Sequence, residues 1–402
     1  MSPKEHFFQL GSHQGLSWAE ILEVFGVPHE NTKKVNEILF VKDLNFKKPA
    51  EFSYKFLKLG GSLRAGELIQ KTTKSKKLDD IILNYLKDQD FNHKYFNLNI
   101  FGNINYNVST LKQKIIEKYK EFTGKRLKIT GDFSKTQANT ATTIKVLKKQ
   151  GIELNIIKDP QSGTYAVAKT LYVQDIKLWS LLDFKKPVRD MKVGMLPSKL
   201  ARIMLNLSNI PEEDGGFWDP FCGLGTIIMQ GQLLNLYSYG SDISKENLEK
   251  ARKNIEWLAK KGLVKELRYR LFKFDIKKNP LSNKILRDIA GRGRFDAVVT
   301  EPFLGKPRHK PFTTKKQVLA EWTQIRPLYK ALLRNTSYLL NPGGRIVMIV
   351  PMFKYEKTKW YKPRLEINLK RWKIVKFNTG ELTWIHEKTF IGRQVVVVEK
   401  KG

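Results

Sequence analysis

Residues 216–226 read GFWDPFCGLGT. An apolar stretch ends in an acid and a proline, then breaks into two glycines one residue apart. A short apolar run bounded by turn residues reads as a buried strand. The following TIIMQGQLLN reads as a helix. Strand, glycine turn and helix predict the first βα unit of an open sheet, and the pattern repeats downstream. LYSYGSDI, LRYRLFKFDI and FDAVVTEPF read as further strands, KENLEKARKNIEWLAKKG as a helix, and KKQVLAEWTQIRPLYKALLRNTSYLL as a helix leading through NPGG into the strand RIVMIVP. WIHEKTFIGRQVVVVEK reads as a closing hairpin. Strands alternating with helices predict an α/β fold with a mostly parallel sheet and helices on both faces.

Ligands of such sheets lie at the carboxyl ends of the strands. Gly223 and Gly225 let the backbone approach a ligand with no Cβ in the way. A dinucleotide fingerprint needs a third glycine where Ile228 stands, and a P-loop needs Gly-Lys-Ser/Thr; neither is present. Asp219, at the end of the first strand, would repel a pyrophosphate and suits a cofactor carrying an ammonium and a sulfonium. S-adenosylmethionine carries both. Asp242, ending the second strand in GSDI, is placed to accept from a ribose diol, and Asp275, ending the third in FDI, to face an adenine amino group. Asp219, Pro220, Phe221, Gly223, Gly225, Asp242, Ile243 and Asp275 form the expected cofactor set.

The fourth strand delivers Thr300-Glu301-Pro302-Phe303 beside the expected methyl group. This resembles the Asp/Asn-Pro-Pro-Tyr/Phe motif of class I amino-methyltransferases. The resemblance implies that the acid and the backbone after it accept hydrogen bonds from an exocyclic amine while an aromatic ring stacks on the base. Acceptors stabilise the positive charge that grows on the nitrogen as it attacks, and placement in line with sulfur and carbon does the rest. Glu301 replaces the shorter Asp/Asn, Phe303 stands where the second proline is expected, and Leu304 takes the aromatic position. The expectation is that Glu301 accepts from the amine and Phe303 supplies the stacking face, with Glu301, Pro302 and Phe303 as the catalytic set.

The first ~170 residues alternate short strands and helices without sustained parallel βα units, an α+β pattern. FFQLG reads as a strand, with Ser17 capping a following helix in a capping box with Glu20. FSYKFLKLGGSLRAGELIQ reads as a strand, a Gly-Gly turn and a second strand or helix, and YFNLNIFGNINYNV as an alternating strand. STLKQKIIEKYKEFTG reads as a helix capped by Ser109 and ended by Gly124. LKIT, IELNII and TYAVAKTLYV read as strands and TQANTATTIKVLKKQG as a helix; residues 171–195 connect this part to the helix SKLARIMLNLS.

Lys+Arg number 73 against 39 Asp+Glu, a net +34 over 402 residues, which points to a polyanionic partner, above all nucleic acid. Lysines of KTTKSKK (71–77), with Lys125, Arg126 and Lys128, suit phosphate contacts, as do Arg308 and Lys310 in GKPRHKPFTTKK (305–316). Trp360, Tyr361, Arg364 and Trp372 form a second candidate surface. Cys222 is the only cysteine, and six histidines show no H-E-x-x-H or comparable spacing, so no metal is expected. No apolar run approaches the ~20 residues of a membrane helix, and the N-terminal segment lacks signal-peptide features. A cytoplasmic protein is expected.

Together these segments resemble the THUMP-domain tRNA guanosine-N2 methyltransferases, including the archaeal Trm-G-ten type. FFQLGSHQGLSWAEI is similar to the family's N-terminal ferredoxin-like segment, KLGGSLRAGELI to GTYAVAKTLYVQDI to THUMP, and GMLPSKLARIMLNLS with DPFCGLGT and GSDI to the class I (Rossmann-like) catalytic domain. The resemblance implies four parts: a ferredoxin-like segment at 1–60, a THUMP-like RNA-binding domain at 61–172, a linker at 173–195 and an S-adenosylmethionine-dependent methyltransferase domain at 196–402. It implies that the N-terminal region holds tRNA through its acceptor end while the sheet methylates a guanosine 2-amino group near the base of the D-arm. A small activating subunit is left open. Two other readings stand beside it: methylation of an adenine 6-amino group in RNA or DNA, and a noncatalytic RNA-binding protein that keeps the fold.

Overall fold

The computed structural model describes residues 5–402 apart from 45, 47, 88–94, 105, 106, 133, 190–194, 213 and 293. Part of the expected linker, 190–194, thus lies outside the described residues. The chain forms two compact units: one of residues 1–14, 25–57 and 62–176, the other of 15–24, 58–61 and 177–402.

The second unit is built on a sheet whose main strands are β1 (Gly216–Asp219), β2 (Tyr237–Asp242), β3 (Tyr269–Lys273), β4 (Phe295–Thr300), β5 (Leu340–Tyr355), β6 (Trp372–Ile374) and β7 (Ile391–Lys400). Their order is 3-2-1-4-5-7-6, with β1–β5 parallel and β7 antiparallel to both neighbours. This is the class I methyltransferase arrangement. Short strands Lys359–Tyr361 and Thr383–Trp384 pair with β5 and β7, the latter forming the expected hairpin.

The two-residue period of a strand sorts the core onto two faces. Phe217, Ala297, Val299 and Val347 enter one apolar cluster, and Trp218, Val298, Ile346 and Met348 the other. The first is covered by Ser198–Leu207, by α1 (Thr226–Leu233) and by α2 (Lys245–Lys260), through Ile203, Ile228 and Ile255. The second is covered by α3 (Lys284–Arg292) and α4 (Lys315–Thr336), through Leu286, Trp322 and Leu332. Trp372 is buried in this second cluster, which removes it from the candidate RNA surface.

A helix over Gln14–Phe25 supplies Leu16 and Ala19 to the first cluster. Here the capping-box expectation fails, because both of its residues lie inside the helix. The Ser17 hydroxyl donates to the Gly61 carbonyl at 2.8 Å. Glu20, fully buried, accepts from the amides of Gly60 and Gly61 at 2.8 Å each and from Asn206 Nδ2 at 2.6 Å. A tertiary demand for acceptors, rather than a helix start, places this pair. Burial pushes the Glu20 carboxyl up to about 7 against those hydrogen bonds. A Cβ at Gly61 would lie 2.5 Å from Ser17 Oγ and 2.9 Å from Ser17 Cα. Gly61→Ala is therefore expected to cost about 1–3 kcal/mol, read as a lower melting temperature; an unchanged Tm would show that this approach is not tight.

The first unit holds an eight-stranded sheet ordered Thr32–Val35, Ile38–Val41, His6–Leu10, Ser62–Thr72, Tyr165–Val173, Ile152–Lys158, Tyr95–Phe101, Lys128–Ile129. Neighbours are antiparallel except around Tyr95–Phe101, which is parallel to both of its partners. Three local expectations change. FSYKFLK is helical, within Pro49–Lys58, with Phe52 and Phe56 buried one turn apart. Tyr95–Phe101 is buried at every position after Tyr95 instead of alternating. Asn107, not Ser109, caps Val108–Thr123 by accepting from the Thr110 amide, while Gly124 ends it at φ 68°. Across the sheet the Arg64 guanidinium donates to the buried Glu153 at 2.8 Å, and Asn97, Thr143 and Thr170 donate to the same carboxylate. Such full satisfaction is what a buried charge requires. Among the described residues no helix is long and apolar enough to cross a membrane.

Candidate active site

The expected acids gather at the carboxyl ends of the parallel strands. Asp219 closes β1 and is 1% exposed. Its Oδ1 accepts from Thr300 Oγ1 at 2.5 Å and from the Phe221 amide at 3.1 Å. Burial pushes this carboxyl up to about 7, with the charges of Asp242 and Glu301 adding to the push and the two hydrogen bonds opposing it. Thr300, at the end of β4, was not legible as a site residue, though a polar residue closing an apolar strand is a usable signal.

The turn after β1 is held by backbone. Cys222 N donates to Ser241 O at 2.9 Å, and Gly225 N to Cys222 O at 2.7 Å. Gly223 and Gly225 take φ of 49° and 80°, left-handed values that favour glycine. Asp242 ties this turn to β2: its Oδ2 accepts from Gly223 N at 3.1 Å, and its Oδ1 from Ser244 N at 2.8 Å. A carboxylate offers about four lone-pair positions, which leaves Asp242 capacity for a ligand hydroxyl. Ile243 beside it is 64% exposed, an apolar face with no cover among the described residues. Pro220 is buried, and Phe221 packs against the second core cluster. Asp275 lies two residues beyond β3 and turns one oxygen back onto the Lys277 amide at 3.0 Å, closing its own turn. Burial raises the Cys222 thiol well above its ordinary value, which favours the protonated thiol over the thiolate.

Glu301 follows β4 directly, with Pro302 buried and Phe303 52% exposed. The glutamate does not stand alone. Arg393 Nε, from the antiparallel strand β7, donates to Glu301 Oε1 at 2.6 Å, and both side chains remain 16–17% exposed. Arg393 Nη2 also reaches the Met195 carbonyl at 3.5 Å. An arginine two residues ahead of the apolar run VVVV was the missed signal. In the 305–316 segment, Arg308 lies over the Phe312 ring at 3.7 Å, whereas Lys306, Lys310, Lys315 and Lys316 are exposed.

The buried Asp219 and half-buried Asp242 repel one another, and the partners they have among the described residues are neutral, whereas the nearby Glu301 is already paired with Arg393. A cationic ligand relieves that repulsion. The site thus fits a small molecule with positive charge near Asp219 and hydroxyls near Asp242.

Residues 188–360 match the family model UPF0020, the RMKL-like methyltransferase domain. The matched region contains the whole acidic rim and the Glu301 motif. The tRNA (guanine(10)-N2)-dimethyltransferase of Methanothermobacter thermautotrophicus is 28% identical over 160 residues, 40% of each chain. The enzyme of the same name from Pyrococcus abyssi is 27% identical over 156 residues, 39% of each. The matched stretch thus spans about 40% of the length of these curated relatives. The crystal structure of TrmN from Thermus thermophilus aligns over 99% of both chains at 15% identity, with a TM-score of 0.49.

Proposed function

We propose that this protein transfers a methyl group from S-adenosylmethionine to the exocyclic 2-amino group of a guanosine in tRNA, at the base of the D-arm. The observation that carries the methyl-donor half is the acidic rim: Asp219 buried near Asp242, both with neutral partners among the described residues. The substrate half rests on the similarity to two enzymes named for guanine-N2 methylation of tRNA.

In this reading Asp219 would hold the cationic methionine end of the donor, Asp242 would accept from the ribose hydroxyls, and Ile243 would lie against the adenine. Gly223 and Gly225 keep side chains out of the way. Asp275 has one oxygen left over from its own turn for the adenine amino group. Bound there, S-adenosylmethionine supplies a methyl carbon activated by a sulfonium. Phe303 presents its exposed ring to the target base, and Glu301 accepts from the amine. With the donor held there, the 2-amino nitrogen would be placed to receive that methyl group, and Glu301 would accept the proton the amine gives up. The first unit, with exposed Lys76, Lys77, Arg126 and Lys128, holds the tRNA. A cytoplasmic setting suits that substrate.

Incubation with labelled S-adenosylmethionine and unmodified tRNA, followed by nucleoside mass analysis, tests this. The expected product is 2-methylguanosine. A 6-methyladenosine product would move the assignment to adenine, and donor binding with no product would make the protein a noncatalytic RNA binder.

A further inference from the structure

We propose that Glu301 and Arg393 together read the Watson–Crick edge of the target base and so select guanine over adenine. This rests on the methyl-transfer reading above and extends it from the reacting amine to the identity of the base. Glu301 carries its carboxylate one methylene further than the Asp or Asn of the related motif. In this chain that carboxylate ends on an arginine, so the site offers an acceptor and a donor side by side.

The pair has spare capacity on both sides. Glu301 Oε1 is held by Arg393 Nε at 2.6 Å, and among the described residues Oε2 accepts no hydrogen bond. Arg393 spends Nη2 on the Met195 carbonyl at 3.5 Å, and Nη1 donates to no described residue. Both side chains are sheltered but reachable at 16–17% exposure, and Phe303, two residues from Glu301, is 52% exposed. A base stacked on Phe303 would turn its edge toward this pair.

Guanine presents the 2-amino group and N1–H as adjacent donors, followed by O6 as an acceptor. The carboxylate accepts from N1–H and from the amine, and the guanidinium donates to O6, a contact arginine makes with guanine in other settings. Adenine in the same place sets the N1 lone pair against the carboxylate and the 6-amino group against the guanidinium. Both contacts are repulsive, and each leaves a spare hydrogen-bonding position of the pair unmet. The ion pair thus does two things. It fixes the carboxylate beside the reacting nitrogen, and it makes the match depend on ring atoms that do not react.

The test uses the full-length protein and a tRNA transcript whose methylated guanosine is replaced by 2-aminopurine, which keeps the 2-amino group but lacks N1–H and O6. Wild-type kcat/KM on 2-aminopurine is expected to fall at least about 100-fold below guanosine, in keeping with sites that hydrogen-bond their substrate. In Arg393→Met the guanosine rate falls while the 2-aminopurine rate does not fall in step, so the ratio narrows at least tenfold. A wild-type ratio within threefold overturns the proposal, as does an equal loss on both substrates in Arg393→Met, which marks the arginine as structural support only. Absence of 2-methylguanosine from the parent transcript overturns the methyl-transfer reading and this inference with it.

Discussion

Glu301→Ala is expected to lower kcat for tRNA methylation about 10²- to 10³-fold while leaving affinity for S-adenosylmethionine within about twofold. The carboxylate faces the base in this account, not the donor, so its loss removes stabilisation of the charge growing on the amine. Glu301→Gln separates charge from shape. The amide oxygen can still accept from Arg393, but its NH₂ then points toward the amine, donor against donor, and a loss of similar order is expected. Single-turnover rates with a tRNA transcript, set beside calorimetric titration of the donor, measure both. Unchanged rates in Glu301→Ala, or donor affinity falling in step with kcat, would sink the assignment.

The second large effect is a pH dependence. Burial pushes the Asp219 carboxyl up to about 7 in the protein without ligand. A cation bound beside it stabilises the carboxylate and lowers that value, so binding releases a proton wherever the free carboxyl is protonated. Affinity for S-adenosylmethionine is therefore expected to be near complete about a pH unit above 7 and to fall by about a factor of ten per pH unit below 7. Roughly tenfold weaker binding is expected at pH 6 than at pH 8, with proton release visible in buffers of different ionisation heat. Asp219→Asn keeps an acceptor for Thr300 Oγ1, removes the charge, and should bind weakly with no such slope. Equal affinity at both pH values in the wild type would place the donor's charge elsewhere. Stability without ligand runs the other way. The folded Asp219 binds a proton that the unfolded chain gives up near pH 4, so its contribution to stability falls as pH rises from about 4 through 7. The same sign holds for Glu20, also raised to about 7 by burial.

Much of the second unit was legible because its signals are local. Apolar runs such as Val298–Val299 and Val395–Val398 mark buried strands, and the glycine turn at Gly223 and Gly225 with acids at Asp219 and Asp242 marks a ligand end. What failed depends on partners far along the chain. Ser17 and Glu20 carry capping-box spacing, yet their partners are Gly60 and Gly61, some 40 residues away. Arg393 meets Glu301 across 92 residues, and a motif search confined to the strand end has no view of it. The segment at Phe52 and Phe56 misled for a different reason. Aromatic residues favour strands in isolation, and only their four-residue spacing, realised against a core, makes the helix.

The threading of the chain also constrains any dissection of the protein. Glu20, Gly60 and Gly61 belong to the same unit as the acidic rim, and Leu16 and Ala19 fill part of its core. No single cut releases that unit intact. A fragment beginning after residue 176 would lose the Glu20 partner of Asn206 and bare the apolar floor that Leu16 and Ala19 occupy, so an inactive or insoluble C-terminal half would say nothing about the chemistry of the whole.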